Sequence, residues 1–153
     1  MVCEYRHGNT KPVSVPVESA TVISRGDLVW MDTNGVKPAS AFTWDTNIAT
    51  TQAAFTPKFL GVSMNDSRAG DVEPITVNRA GVFEFDCASA SFAVGALAGS
   101  AKASGNNMEN QKAVSVATAN LAIGRVFKAT TSATKVLIEI VSGVFGGTQT
   151  IPS

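Results

Sequence analysis

Apolar residues along this chain recur mostly at every second position. Val13, Val15 and Val17 alternate with Ser14 and Pro16, which is the period of a strand with one buried face. Pro12 and Pro16 lack the N–H that a central strand donates, so the segment is expected at a sheet edge or in an extended arm. After a polar Arg25-Gly26-Asp27 turn, Leu28-Val29-Trp30-Met31 runs into Asp32-Thr33-Asn34-Gly35. Asn-Gly between two apolar runs predicts a hairpin. Further strands are expected over residues 59–63, 74–78 and 81–86, the last with Phe83 and Phe85 on one face and Val82, Glu84 and Asp86 on the other. The same pattern returns at 94–97, 112–116, 121–126 and 135–141, interrupted by a Gly/Asn-rich turn at 104–107. Only the stretch between Ala39 and Pro57 departs from it. There, residues 45–55 predict a short helix capped by Asp45 or Thr46, with Ile48 and Phe55 on one face and Pro57 as its stop.

The two halves of the chain correspond. Gly26-Asp27-Leu28 matches Gly95-Ala96-Leu97 at a spacing of 69 residues, Leu60-Gly61-Val62 matches Ile123-Gly124-Arg125 at 63, and Pro74-Ile75-Thr76-Val77 matches Lys135-Val136-Leu137-Ile138 at 61. Spacings that shorten steadily are what two copies of one β-module with different loop lengths produce.

Composition narrows the function classes. A chain of 153 residues holds one domain with one proper core. Net charge is zero, so nothing marks a nucleic-acid or anionic-membrane surface. Charged residues make up 16%, well below the ~25% of an ordinary soluble domain. That shortfall predicts surface covered by other protein, most simply by further copies of the chain. Leu is scarce among many Val, Ala, Thr, Ser and Gly residues, which favours strands over helices. With no apolar signal core at Met1-Val2-Cys3-Glu4, Cys3 and Cys87 are expected to remain thiols and the chain to stay soluble.

Taken in order, Gly26-Asp27-Leu28-Val29-Trp30, Asn34-Gly35-Val36, Phe59-Leu60-Gly61-Val62-Ser63, Ile75-Thr76-Val77, Gly81-Val82-Phe83-Glu84, Val94-Gly95-Ala96-Leu97, Ala122-Ile123-Gly124-Arg125-Val126 and the closing strand from Val136 to Ile140 span residues 25–141. This order resembles that of the capsid cement (head decoration) proteins of tailed bacteriophages. The resemblance implies a compact β-structure, often trimeric, bound outside the expanded head at three-fold and quasi-three-fold positions. The stretch from Ala39 to Pro57 and the long amino-terminal segment depart from the shorter members.

Sites for chemistry are sparse. His7 is the lone histidine, and no CxxC, HExxH, P-loop, GxSxG or GxGxxG occurs. Asp32-Thr33-Asn34-Gly35 is similar to the start of a calcium loop, but its Gly stands at the fourth position and no Glu follows at the twelfth. Arg25-Gly26-Asp27 spells an adhesion tripeptide, although its place before an apolar strand makes it a turn. Trp30, Trp44 and Phe42 are candidates either for the core or for an aromatic surface that binds glycans.

The sequence therefore predicts an all-β, non-enzymatic protein: a small β-barrel or compact sandwich of two related β-modules, with one or two short helices. Residues 1–19 are expected to form an extended arm, 20–143 a single β domain, and 144–153 a flexible tail. Expected partners are the major capsid protein and the chain itself as a homotrimer, with neither nucleic acid nor membrane, no cofactor and no metal. The expected location is the outer capsid surface of the virion. Val13, Ser14, Val15 and Val17 are the candidate contacts to a capsid subunit or neighbouring copy, by strand addition. The alternatives are a tail or spike module that binds glycans, and an enzyme built from scattered carboxylates.

Overall fold

Alternation becomes strand pairing almost from the start of the chain. The computed structural model describes residues 3–7 and 9–146. Its strands are β1 (Glu4–His7), β2 (Pro12–Val15), β3 (Leu28–Asp32), β4 (Gly35–Pro38), β5 (Phe59–Ser63), β6 (Ile75–Asn78), β7 (Ala80–Phe92), β8 (Leu97–Lys102), β9 (Met108–Ser115), β10 (Gly124–Val126) and β11 (Thr130–Val141). Two helices are described, α1 (Ile48–Phe55) and α2 (Gly143–Gly146).

The strands form two sheets of the same design. The first module runs β2-β6-β5-β3-β4, and the second runs β7-β11-β10-β8-β9 with β1 added outside β7. Counted within each module, both orders are 1-5-4-2-3. The second ring closes into a barrel through a parallel pairing of β7 with β9 at Asp86 and Lys112. At the equivalent place in the first, Val36 N donates to Pro16 O.

Register repeats as well. The pairs Leu28–Val62 and Val29–Gly61 of the first module become Leu97–Arg125 and Ala98–Gly124 in the second. Likewise Val13–Val77 and Val15–Ile75 become Phe83–Ile138 and Phe85–Val136. The three spacings read from the sequence are thus the spacings of the structure. Even the close approaches recur: a Cβ on Gly61 would collide with the Asn78 carbonyl oxygen, and one on Gly124 would collide with that of Glu139, the residue that corresponds to Asn78. The turn glycines correspond too, Gly26 at φ 93° and Gly95 at φ 83°, a region that side-chain-bearing residues avoid.

Two clusters fill the molecule. Val15, Val17, Ile23, Val29, Val36, Leu60, Ile75 and Val77 fill the first module. The second cluster joins the inward residues of the barrel, Phe83, Phe85, Val136, Ile138 and Ile140, to Leu28, Trp30, Phe59 and Val62 on the outer face of β3 and β5. Those two strands are apolar on both faces because each face packs, which explains why Leu28-Val29-Trp30 and Phe59-Leu60-Gly61-Val62 read as unbroken runs.

The segment between β4 and β5 braces the modules. Asn47 caps α1 by accepting from Thr50 N at 2.9 Å, so the cap falls two residues beyond Asp45 and one beyond Thr46. Gln52 of α1 donates to the Ser100 carbonyl of β8 at 2.7 Å. Ser40 N donates to Asn110 Oδ1 of β9 at 2.7 Å. A file of rings, Trp30, Phe42, Phe55 and Phe59, runs between them with centroids 4.9 to 5.8 Å apart, within the favourable range for aromatic pairs.

Of the two amino-terminal expectations, the sheet edge holds, since β2 is the end strand of its sheet, and the extended arm is corrected. Residues 12–15 are a full strand of the first module, paired with β6 from Pro12–Asn78 to Val15–Ile75. Upstream, β1 pairs with β7. Residues 4–7 and 12–17 therefore belong to the folded unit instead of an arm. Prolines are tolerated because the seam uses the carbonyl of Pro16 as acceptor and asks nothing of its nitrogen. The tail expected from residue 144 begins inside α2, and residues 147–153 lie outside the described residues.

Candidate interaction surface

The four proposed contact residues are already engaged within the chain. Val13, Ser14 and Val15 pair with Val77, Thr76 and Ile75, so one edge of β2 is taken up within the chain, and on its other side Val36 N donates to Pro16 O. Val15 and Val17 are buried in the first core. Only Val13, half-buried, and Ser14, exposed, reach the surface.

Other candidates resolve by burial. Trp30 is buried, and its indole N–H donates to the Pro38 carbonyl at 3.0 Å. Trp44 stays half-exposed, with the Lys102 ammonium 5.6 Å from its ring centre. Of the adhesion tripeptide, Asp27 is buried. Its carboxylate accepts from Ser24 N and from Gln111 Nε2, both at 2.9 Å. Burial pushes this carboxyl above its usual range, and the Gln111 and Ser24 bonds pull partly against that. Gln111 also accepts from Cys3 N at 2.7 Å and donates to the Arg25 carbonyl, so one β9 side chain ties the amino terminus and the 24–27 turn to the barrel. Asp32 pairs with Lys37 at 2.8 Å across the predicted hairpin, whose two-residue loop is Thr33-Asn34, with Gly35 opening β4. Cys3 and Cys87 are buried and remain thiols, and burial raises the Cys87 pKa. His7 lies in β1, and its side chain is outside the described residues. Among the described residues, no three His, Cys, Asp or Glu side chains group as metal ligands.

What sequence reasoning missed is the outer face of the second module. Leu97, Arg125 and Glu139 stand in one cross-strand row on β8, β10 and β11. In the first module the corresponding row is Leu28, Val62 and Asn78, beside Trp30 and Phe59, and all five are buried. The repeat places Gly99 and Ala122 where the first module has Trp30 and Phe59. Two large rings are thereby exchanged for a hydrogen and a methyl. At Ala122 a hollow of about 110 Å³ opens, lined by Leu97, Ala122, Arg125, Glu139, Val141, Thr56 and neighbouring backbone, whereas Gly99 is closed over by the Leu121 carbonyl and the side chains of Val116 and Gln52. Val141 in its wall is exposed, as are Phe127, Val144 and Phe145 elsewhere on the second half of the chain, and Phe145 is held under the Arg79 guanidinium at 3.9 Å. In the sequence, the signal was the failure of the second copy to repeat Trp30 and Phe59.

The first module exposes large apolar groups elsewhere. Val22 is 56% and Val72 66% exposed, on two loops fastened together by a pair of bonds between Ile23 and Ser67 and by Gly70 N donating to Ser19 O. Val72 stands between the exposed Asp71 and Glu73.

No protein-family model matches the chain, and no curated protein matches it either.

Proposed function

We propose that this chain is a structural protein that decorates the outside of a tailed-phage head and cements it, as a closed assembly of three copies. The observation that carries the reading is that the motifs of the resemblance fall on the parts that build the double module. Gly26 and Gly95 open β3 and β8, Gly61 and Gly124 admit the neighbouring strand, and Leu28, Trp30 and Phe59 join the two modules. A low-charge chain with apolar groups left on its outer faces is suited to be covered by protein on several sides.

A cement protein binds the assembled shell and not the free subunit, so its binding free energy adds directly to shell stability. The gain is about 2.7 kcal/mol per site at a free concentration one hundred times Kd. No bond is made or broken, and the requirement on the chain is rigidity, which the double module supplies.

The test is binding to purified heads of the phage or prophage whose genome encodes the chain. Saturable binding to expanded heads, none to unexpanded ones, and a higher melting temperature of decorated heads are expected. Heads that neither bind the protein nor gain stability refute the reading.

A further inference from the structure

We infer that Lys11 and Arg79 frame a carboxylate-binding recess at one end of the first module, and that it takes the Asp71-Val72-Glu73 segment from the other end of a second copy. This deepens the decoration reading by naming how copies meet, and it rests on that reading only for the number of copies.

Both surfaces are placed by the pairing of β2 with β6. Lys11 precedes β2 and Arg79 follows β6, so the antiparallel pair Pro12–Asn78 brings them to one end. There they line a recess of about 390 Å³ together with Val141 and Phe145, and no acid stands in its wall. Glu139, two residues before Val141, lines the separate hollow at Ala122. The Arg79 guanidinium is held in place: its Nε donates to the Lys11 carbonyl at 3.0 Å, and the group lies 3.9 Å from the centre of the Phe145 ring. Neither Lys11 nor Arg79 has an ion-pair partner among the described residues. Lys11 also sits at φ 45°, left-handed backbone that glycine adopts more readily than lysine. An ammonium kept at such a position beside an immobilised guanidinium is suited to bind carboxylate oxygens.

The opposite end of the same strand pair supplies the occupant. The four residues of β6 hold the two ends about 13 Å apart, so residues 71–73 do not fill the recess of their own chain. Asp71, Val72 and Glu73 are all exposed. With Asp66 they line an open surface that contains no Lys or Arg, and Arg68 of the same loop lies outside it. Asp66 and Asp71 accept from the backbone N–H groups of Arg25 and Arg68, whereas the Glu73 carboxylate has no bond among the described residues. Three carboxylates around an exposed valine thus stand at one end, and two cations around the exposed Val141 and Phe145 at the other. Charge and apolar surface both match, and such complementarity fixes register between partners. Because the two ends differ, the contact is heterologous. Such a contact yields a ring where its rotation closes and a filament where it does not.

Sedimentation of the full chain over a concentration series provides the test. Wild type is expected to assemble, and added salt to weaken that assembly, because exposed charges are screened. Glu73→Lys and Lys11→Glu each set like charges against one another across the contact. Each is expected to leave monomer at about ten times the concentration at which wild type is half-assembled. Joined in one chain, the two reversals restore opposite charges, and an oligomer of wild-type size is expected to return. Lys11→Gly removes the ammonium and relaxes the backbone at once: half-assembly should need about fivefold more protein, while the melting temperature stays at or above the wild-type value. Monomeric wild type, single variants that assemble as wild type does, or a double variant that stays monomeric overturns the contact. A monomeric wild type whose Lys11→Glu form no longer binds heads also overturns it, and gives the recess to a carboxylate of the capsid subunit. Head binding on the same samples is a separate readout: heads decorated by a chain whose assembly ignores these substitutions refute the contact and leave the decoration reading standing.

Discussion

The first and second modules have one strand order and one register but fill their interiors differently. Where the first places Val13 and Val15 against Val77 and Ile75, the second places Phe83 and Phe85 against Ile138 and Val136. Outside, the contrast reverses: the first module carries Trp30 and Phe59, and the second carries Gly99 and Ala122. Backbone pairing and its glycines hold the frame constant, while side-chain volume is free to move from one side of the sheet to the other. The first module spends its aromatics on joining its sister, and the second spends them on its own core.

Deleting residues 2–17 probes that contrast most severely. It removes β1 and β2, opens the first module and strips Val15 and Val17 from its core. Loss of cooperative unfolding is expected by circular dichroism. A truncated chain that melts at the wild-type temperature would show the first module to be dispensable to the fold.

A matched pair of truncations sharpens it. Phe85 is fully buried, and Phe85→Ala is expected to cost about 3–5 kcal/mol in urea unfolding, the usual range for an emptied aromatic site. Val15→Ala, at the corresponding position, removes two carbons and is expected to cost about 2 kcal/mol. Equal losses at the two positions would mean that the interiors are not as different as their residues.

The smallest effect concerns the joint between modules. Asp27 has its carboxyl pushed above its ordinary 3.8 by burial, against the pull of Gln111 and Ser24. The folded chain therefore keeps this proton at a pH where the unfolded chain has released it, and ionisation of Asp27 subtracts stability as pH rises above 3.8. Asp27→Asn forfeits one acceptor at every pH, but it should abolish that slope. Urea midpoints of the two proteins should diverge most in acid, where wild type retains its proton, and approach each other toward neutrality. Parallel curves would show that Asp27 titrates in the folded protein as it does in the unfolded chain.

Much of this was legible in the sequence because strand period and glycine placement are local. The alternation at Phe83 and Phe85, the Asn34-Gly35 hairpin and the three repeat spacings all follow from residues a few positions apart. The helix over 48–55 was legible from Pro57 and the Ile48 to Phe55 interval, yet its cap was not, since Asp45, Thr46 and Asn47 are all competent and only the path of the chain selects Asn47. Pro12 and Pro16 were read correctly as far as the sheet edge, since β2 is the end strand of the first sheet; what they could not show is that this edge strand packs into the core through Val15 and Val17 and is no arm. The hollow was invisible for another reason: Ala122 announces nothing until the repeat shows that it stands where the first module has Phe59.

Each module is completed by its last strand joining its first, β6 with β2 and β11 with β7. During synthesis the first module therefore has all its strands once Asn78 has emerged, before β7 begins at Ala80. It can close on the ribosome, but Leu28, Trp30 and Phe59 must wait for the second module to cover them. For the time needed to make about half the chain, at ~5–20 residues per second, the nascent protein carries an aromatic surface that Phe42 and Phe55 cover only in part, and that interval is where chaperone capture or misassembly between neighbouring nascent chains would fall.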